Sequence, residues 1–310
     1  MREFDVMDKI CVIMSTYNGE TFLKEQLDSI FAQTGVYVSV VVRDDGSIDN
    51  TINQLKEYSH PNKKLHIIEG INVGCKKSFH EAAKYAIQKF PEYKYFAFAD
   101  QDDYWLPEKL QTGIRRLNEE TVSPNLYFCP PTIVDSKLNP LGIQWENNHF
   151  LSLGEAYLAQ PCAGCTMVFD KRALELFLLA DPDDMSLHDS WIYKTVLACG
   201  GKIVEDTESY ILYRQHGNNV VGTQTQWSKW KRRFRVFTKG NCYRSNQVKQ
   251  IFNTYNSMMN EESLSITQRL IDYQKKGIKN KIRILCDREY RTKKVLNNIL
   301  FTISLLFNRF

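Results

Sequence analysis

Long apolar runs are what this 310-residue chain has least of. The opening residues, MREFDVMDKICVIMSTYN, carry no extended apolar stretch ahead of a small-residue cleavage site, so secretion is not indicated and a cytoplasmic protein is expected. No G-x-G-x-x-G follows the first strand-like run, which argues against a dinucleotide oxidoreductase. G-x-x-x-x-G-K-[ST] is absent too, and with it a P-loop. Phosphates, if bound, must be held by a metal and by basic groups drawn from elsewhere. Eight cysteines are present, but they are scattered through apolar segments like reduced thiols serving as small hydrophobes, so no disulfide framework is implied. The single C-x-x-C, Cys162-Ala-Gly-Cys165, has no second pair or nearby histidine tract. It is better read as small residues packed beside a site than as a zinc or redox centre. Fixed-period repeats and low-complexity tracts are also missing.

The residues that are present divide unevenly by charge. Positions 227–310 hold 19 Lys and Arg against 5 Asp and Glu, whereas positions 1–226 hold 21 against 31. A basic module on an acidic body points to an anionic partner, either nucleic acid or an anionic membrane surface. With 43% hydrophobic residues the body can bury an ordinary core. Strand-like runs ICVIMS, YVSVVV, LHIIEG and YKYFAFA alternate with helical patterns around Leu23 to Phe31, from about Asp49, over about Lys76 to Phe90, and after Pro107. This β-α alternation predicts an α/β fold with a doubly wound, mainly parallel sheet, whose ligands bind beyond the carboxyl ends of the strands. The polar segments at those ends are Ser15 to Glu20, Arg43 to Thr51, Glu69 to Gly74 and Ala99 to Asp103.

Past Asn125 the pattern loosens, with strands expected at NLYFCPPTIVD, CTMVFD, KIVE and SYILYRQH and helices near Lys171 to Leu179 and Leu187 to Cys199. After Gly222, WSKWKRRFRVF spaces Trp227, Trp230, Phe234 and Phe237 helically among Lys and Arg, a basic amphipathic helix. The final segment sets Val295, Leu296, Ile299, Leu300, Ile303, Leu306, Phe307 and Phe310 on one stripe. At sixteen residues interrupted by asparagines it is too short to span a bilayer. Lying on a membrane is the sharper reading; packing on the main domain or a second subunit, as in a homodimer, is the plainer one. The expected organisation is a domain over 1–222, with a nucleotide-binding half over 1–105 and an acceptor half over 106–222. A helical basic extension follows over 223–310.

The chemistry is concentrated in FADQDDYWLPEKL. Asp100, Asp102 and Asp103 end an apolar strand, where they raise one another's pKa unless a cation offsets them. Mg²⁺ or Mn²⁺ suits such oxygen ligands and commonly bridges carboxylates to phosphates. In an extended segment Asp100 and Asp102 share a side, and Asp103 faces away unless the chain turns. Helix capping before Pro107 would account for one carboxylate but not three.

VIMSTYNGETFLKEQLDSIFAQ, VVVRDDGSIDNT, NVG and FADQDDYWLPEKL, in this order and spacing, resemble the inverting GT-A glycosyltransferases of family 2 over roughly residues 8 to 220. GCTMVFD, LHDSW and YRQHGNNVVG further resemble its bacterial rhamnosyltransferase-like branch, which builds cell-surface polysaccharides from dTDP-L-rhamnose. The resemblance implies donor contacts at Thr16, Tyr17, Asn18, Glu20 and Asp45, with Asp45 accepting from the base N3–H. It implies Asp100 near ribose and metal, Asp102 as principal metal ligand, and Asp103 facing the sugar or positioning the loop. Asp189 becomes the general base, while His188 shapes its turn. His216 is implied as a metal ligand or a donor to the diphosphate, and Arg214 as an offset to phosphate charge. The implied partners are a nucleotide sugar, a glycan or lipid-linked glycan acceptor and the inner face of the cytoplasmic membrane, with no nucleic acid. The implied reaction is single-sugar transfer with inversion, assisted by Mg²⁺ or Mn²⁺. Gln226-Trp-Ser-Lys-Trp230 falls one residue short of the Q-x-x-R-W of processive synthases and is taken as coincidence. The alternatives are a UDP-sugar donor on the same fold, a catalytically inactive membrane- or nucleic-acid-binding protein, and a metal-dependent phosphohydrolase.

Overall fold

In the computed structural model of the chain, residues 7–58, 64–142, 152–159, 162–216, 243–275 and 277–310 are described. The WSKWKRRFRVF helix, the Gln226 to Trp230 segment and the Gly217 to Gly222 loop lie outside them. The chain divides into two compact units. The first comprises Met1–Trp145, Cys162–Ile192 and Gly201–Arg214; the second comprises Glu146–Pro161, Tyr193–Gly200 and Gln215–Phe310. The second unit therefore takes in two stretches from before residue 222.

Strand β1 (Asp8–Thr16) lies inside a seven-stranded sheet, between β2 (Val36–Asp44) and β4 (Tyr95–Ala99). Their apolar runs are buried from Ile10 to Met14 and from Val40 to Val42, as expected of parallel strands covered on both faces. β3 (Lys64–Glu69) pairs parallel with β2 at one end of the sheet. Helix α1 (Leu23–Phe31) buries the Leu23, Leu27, Ile30 and Phe31 stripe that its spacing predicts. α2 (Thr51–Glu57) and α3 (Cys75–Lys89) follow the second and third strands.

The later half departs from a purely parallel arrangement. β5 (Tyr104–Trp105) follows β4, and α4 (Lys109–Asn118) opens just after Pro107. NLYFCPPTIVD is divided by Pro130 and Pro131, which have no ladder donor, into β6 (Asn125–Phe128) and β7 (Thr132–Val134). β8 (Met167–Asp170) runs antiparallel to both β4 and β6, and β9 (Lys202–Glu205) closes the sheet parallel to β6. β10 (Ile211–Arg214) joins β5 and β7 in a separate three-stranded sheet. Helices α5 (Leu153–Leu158), α6 (Lys171–Phe177) and α7 (His188–Ala198) complete this stretch. Strand order reverses at β1, so the crevice for a ligand opens where the carboxyl ends of β1, β2 and β4 meet.

The second unit is helical, with α8 (Tyr243–Tyr255), α9 (Glu261–Ile271), α10 (Gly277–Cys286) and α11 (Val295–Leu306). Asn260 caps α9 through the N–H of Ser263. Tyr157 shares a hydrogen bond with Thr267 (3.0 Å), and Tyr290 donates to the Ile266 carbonyl (2.7 Å). α11 corrects the predicted stripe. Phe310 is buried against Tyr273 and Phe301, and the helix packs through Phe301 and Leu305. Val295, Ile299, Leu306 and Phe307 stay outward. Among the described residues no helix is long and apolar enough to cross a membrane.

Candidate active site

Asp44, at the end of β2, organises the first wall of the crevice. It accepts from Thr16 Oγ1 (2.9 Å), Ser47 Oγ (2.6 Å) and the N–H groups of Gly46 (3.1 Å) and Ser47 (2.8 Å). Asn18, at φ 49°, donates its N–H to Ser47 Oγ (2.9 Å) and accepts from Ile48 N–H (2.9 Å), while Glu20 accepts from Asn50 N–H (2.8 Å). Thr16, Asn18 and Glu20, expected at the donor, thus tie the Y-N-G-E and D-D-G-S turns together. Tyr17 is exposed, as are Ile48 (90%) and Ile71 (80%), three apolar side chains on the turns that border the crevice.

Asp45 is buried and receives Arg43 Nη1 (2.6 Å), Val73 N–H (2.9 Å) and Gly74 N–H (2.9 Å). Arg43 also reaches Glu81 (2.5 Å) and the Ile71 carbonyl (3.2 Å). Gly70 lies so close that a Cβ there would stand 2.4 Å from Arg43 Nη2. Arg43 is therefore the strut that fixes Asp45, a role invisible in its place at the end of a valine run.

The second wall is the acidic segment. Gln101 pairs with the backbone of Tyr17, accepting from its N–H (2.8 Å) and donating to its carbonyl (3.2 Å), and so locks the end of β4 to that of β1. The chain bends at Gln101 and Asp102, which brings Asp103 back toward Asp100. Ligand atoms of Asp100, Asp103 and Cys165 lie within 4.8 Å of one another. Asp103 is fully buried; one oxygen accepts from Arg214 N–H (3.1 Å), and the Cys165 thiol lies beside the carboxylate. Burial, with Asp102 and Asp189 beside it, pushes the Asp100 carboxyl up to about 7. Burial, with Asp102 and Asp100, raises Asp103 well above the carboxylate range. Neither carboxylate acts as a cap, since the N-cap of α4 is Glu108 and no side chain caps it.

Carboxylates whose charge is this poorly compensated fit a divalent cation, and the oxygen donors suit a hard one. Asp100 and half-buried Asp102 would hold it at the mouth of the crevice, where it would offset negative charge on a diphosphate. Proximity groups Asp100 with Asp103 and Cys165, and the expected principal ligand Asp102 stands outside that cluster. His216, two residues past β10, falls in the second unit.

Arg214 differs from expectation in its surroundings. Its guanidinium donates to the Asp102 carbonyl (2.8 Å), the Ser136 carbonyl (2.5 Å) and Glu25 (2.5 Å), and lies 4.3 Å from the Phe22 ring centroid. Buried on these partners, it braces the loop of Asp102 from beneath.

Asp189 lies in the first turn of α7, buried, with its Oδ1 accepting from Ser190 N–H (2.6 Å). Its charge is felt at Asp100 and at Cys75, the first residue of α3. His188 stacks on Phe79 (3.7 Å between centroids) with Phe98 at its edge (4.9 Å). Burial lowers it to about 3, so the imidazole is neutral and shapes the turn. A Cβ on Gly164 would stand 2.5 Å from His188 Nε2, which requires glycine in GCTMVFD. Lys109 passed unnoticed in the sequence because a lysine in the first turn of a helix reads as solvated. It is buried 3.7 Å from the centroid of the Trp105 ring, and burial lowers it to about 8, still an ammonium at neutral pH.

Residues 11–178 match the Glycosyl transferase family 2 profile, more than half of the chain. The chain is a family 2 glycosyltransferase. The match runs from β1 through α6, so Asp45 and Asp100 to Asp103 fall inside it and Asp189, Arg214 and His216 beyond it. This glycosyltransferase is 32% identical over 233 residues to the dTDP-rhamnosyl transferase RfbG of Shigella flexneri, covering 71% of the chain and 77% of that protein. Its fold is similar to that of Staphylococcus aureus TarS 1-349 in complex with UDP (TM-score 0.54, 17% identity, 97% of this chain and 92% of that one). It is also similar to that of the mannosyltransferase PcManGT of Pyrobaculum calidifontis, solved with GDP-Man and Mn²⁺ (TM-score 0.56, 16% identity, 100% and 92%). Both likenesses place the glycosyltransferase in the GT-A fold.

Proposed function

We propose that the enzyme transfers a single L-rhamnose, with inversion, from dTDP-L-rhamnose to a glycan or lipid-linked glycan acceptor in the synthesis of a bacterial cell-surface polysaccharide. The observation that carries the chemistry is the packing of Asp189 against Gly164, where a Cβ would stand 3.3 Å from its own, while the adjoining Cys165 lies within 4.8 Å of the Asp100 and Asp103 carboxylates. The identity to RfbG supports the sugar. Asp45 accepts from the base and Tyr17 covers it, while Thr16, Asn18 and Glu20 hold the turns in place. Asp100 and Asp102 seat Mg²⁺ or Mn²⁺, which when bound offsets charge on the departing diphosphate. Asp189 takes the proton of the acceptor hydroxyl, whose oxygen attacks C1 from the face opposite the leaving group. A β-linked donor then gives an α-L-rhamnoside. Asp103 and Arg214 position the loop.

The outward side chains of α11, flanked by exposed Arg291, Lys293 and Arg309, support seating at an anionic membrane surface. Thermal-shift screening of dTDP-L-rhamnose against UDP-GlcNAc, UDP-Gal and UDP-Glc, with Mg²⁺ or Mn²⁺, tests the donor. Stabilisation by a UDP-sugar and not by dTDP-L-rhamnose would overturn the rhamnose assignment.

A further inference from the structure

The segment Asp181 to Leu187, which delivers the chain to Asp189, has neither helix nor strand and carries the like charges of Asp181, Asp183 and Asp184. Such a turn is a poor seat for a side chain that must be aimed closely at a reacting group. Its geometry has to be set from outside.

The first turns of α3 meet it. Lys76 Nζ donates to the carbonyls of Asp183 (2.9 Å) and Met185 (3.2 Å), and Met185 is buried. Phe79, three residues on and so a neighbour of Lys76 on the helix surface, is the ring on which His188 stacks. Cys75 stands with its thiol 4.0 Å from His188 Nδ1. Side chains of α3 therefore hold the chain at residues 183, 185 and 188, and the next residue is Asp189. The same end of α3 also belongs to the first wall of the crevice. The N–H groups of Val73 and Gly74 bond Asp45, and Ser78 Oγ meets Ser15 Oγ (2.6 Å) and Arg43 Nη1 (3.1 Å).

Lys77 supplies the contrast. It reaches the Asp183 carboxylate (2.8 Å) across side chains 35% and 66% exposed, an ion pair that contributes little. Lys76 instead makes charge-assisted bonds to two backbone carbonyls, which fix the path of the chain itself.

We propose that Lys76 is a positioning residue for the transfer reaction: by holding the Asp183 and Met185 carbonyls it sets the turn that places Asp189 in the crevice. The effect on transfer rests on the reading of Asp189 as the base; the hold of Lys76 on the turn does not.

The test compares full-length wild type, K76M, K76R, K77M and D189N. Turnover of dTDP-L-rhamnose, or of whichever nucleotide sugar stabilises the protein in the thermal-shift screen, is followed as release of the nucleoside diphosphate with water as acceptor. Amide hydrogen exchange is followed over residues 181–192. K76M is expected to lose roughly tenfold to a hundredfold in kcat, with the donor KM within about twofold, since the bonds to Asp45 are untouched. Its amides over 183–190 exchange roughly tenfold faster. K76R restores most of both losses, because a guanidinium can also serve two carbonyls, and K77M matches wild type in both. Wild-type kcat or wild-type exchange in K76M would overturn the proposal. So would a donor KM that rises in step with the loss of kcat, a K77M as impaired as K76M, or a K76M that does not fold. D189N separates the two readings: turnover near wild type removes Asp189 as the base, and hydrogen exchange in K76M then judges the hold of Lys76 by itself.

Discussion

Asp189 stood out in the sequence because LHDSW is a motif, and its place beside Asp100 gives the motif a task. Asp189→Asn is expected to lower kcat by about 10² to 10⁴ while donor affinity, read by thermal shift, stays within about twofold. Turnover near wild type would remove Asp189 from the role of base. Asp100 carries a separate expectation. Its folded pKa, about 7, lies above the ordinary carboxyl value of 3.8. Between those values the native state holds a proton that the unfolded state has released, so stability falls as pH rises through this window and levels off above about 7. Measured in EDTA, the Tm of wild type relative to Asp100→Asn should decline from pH 4 to 7 and then flatten; a constant difference would refute the shift. Lys109 and the burial of Asp103 were not legible. Strand alternation placed Asp103 on the far side of an extended chain, and only the bend at Gln101 and Asp102 brings it back.

At the scale of elements, most of the fold could be read from periodicity. The runs that became β1 to β4 and the stripe of α1 follow directly from apolar spacing, whereas NLYFCPPTIVD reads as one strand and is divided in the structure at Pro130 and Pro131. Two features could not be read. A buried strand has the same apolar run whether parallel or antiparallel, so the reversed β8 had no signature. β5 and α5, of two and six residues, are too short to show a period. The turns were legible as composition but not as mechanism, because the bonds that join them cross from one element to another: Gln101 to Tyr17, and Arg43 to Asp45 and Glu81. Gly70 tests this bracing. Gly70→Ala drives a methyl into Arg43 and should displace Asp45, raising the donor KM several-fold, by about 1 kcal/mol of lost binding, with kcat little changed. An unchanged KM would show that Asp45 does not depend on the strut.

For the whole molecule, the open question is what the basic, helical second unit does with the apolar side chains it leaves outside. Deleting residues 295–310 would be a poor test of this. Phe301, Leu305 and Phe310 are core residues of the unit, and removing them would cost several kcal/mol whatever the outer face binds. The outer face can be altered separately. Val295, Ile299 and Phe307 are exposed at 71%, 49% and 68%, so Asp at all three leaves the buried side of the helix intact. If this face seats on an anionic membrane, the triple variant should lose sedimentation with phosphatidylglycerol-containing liposomes while its Tm stays within a few degrees of wild type. The wild-type protein should partition less as salt rises, because the flanking lysines and arginines contribute through screened charge. Partitioning unchanged in the triple variant would remove α11 from the membrane contact. A shift from dimer to monomer in the same variant, read by light scattering, would assign the face to a second copy of the chain instead.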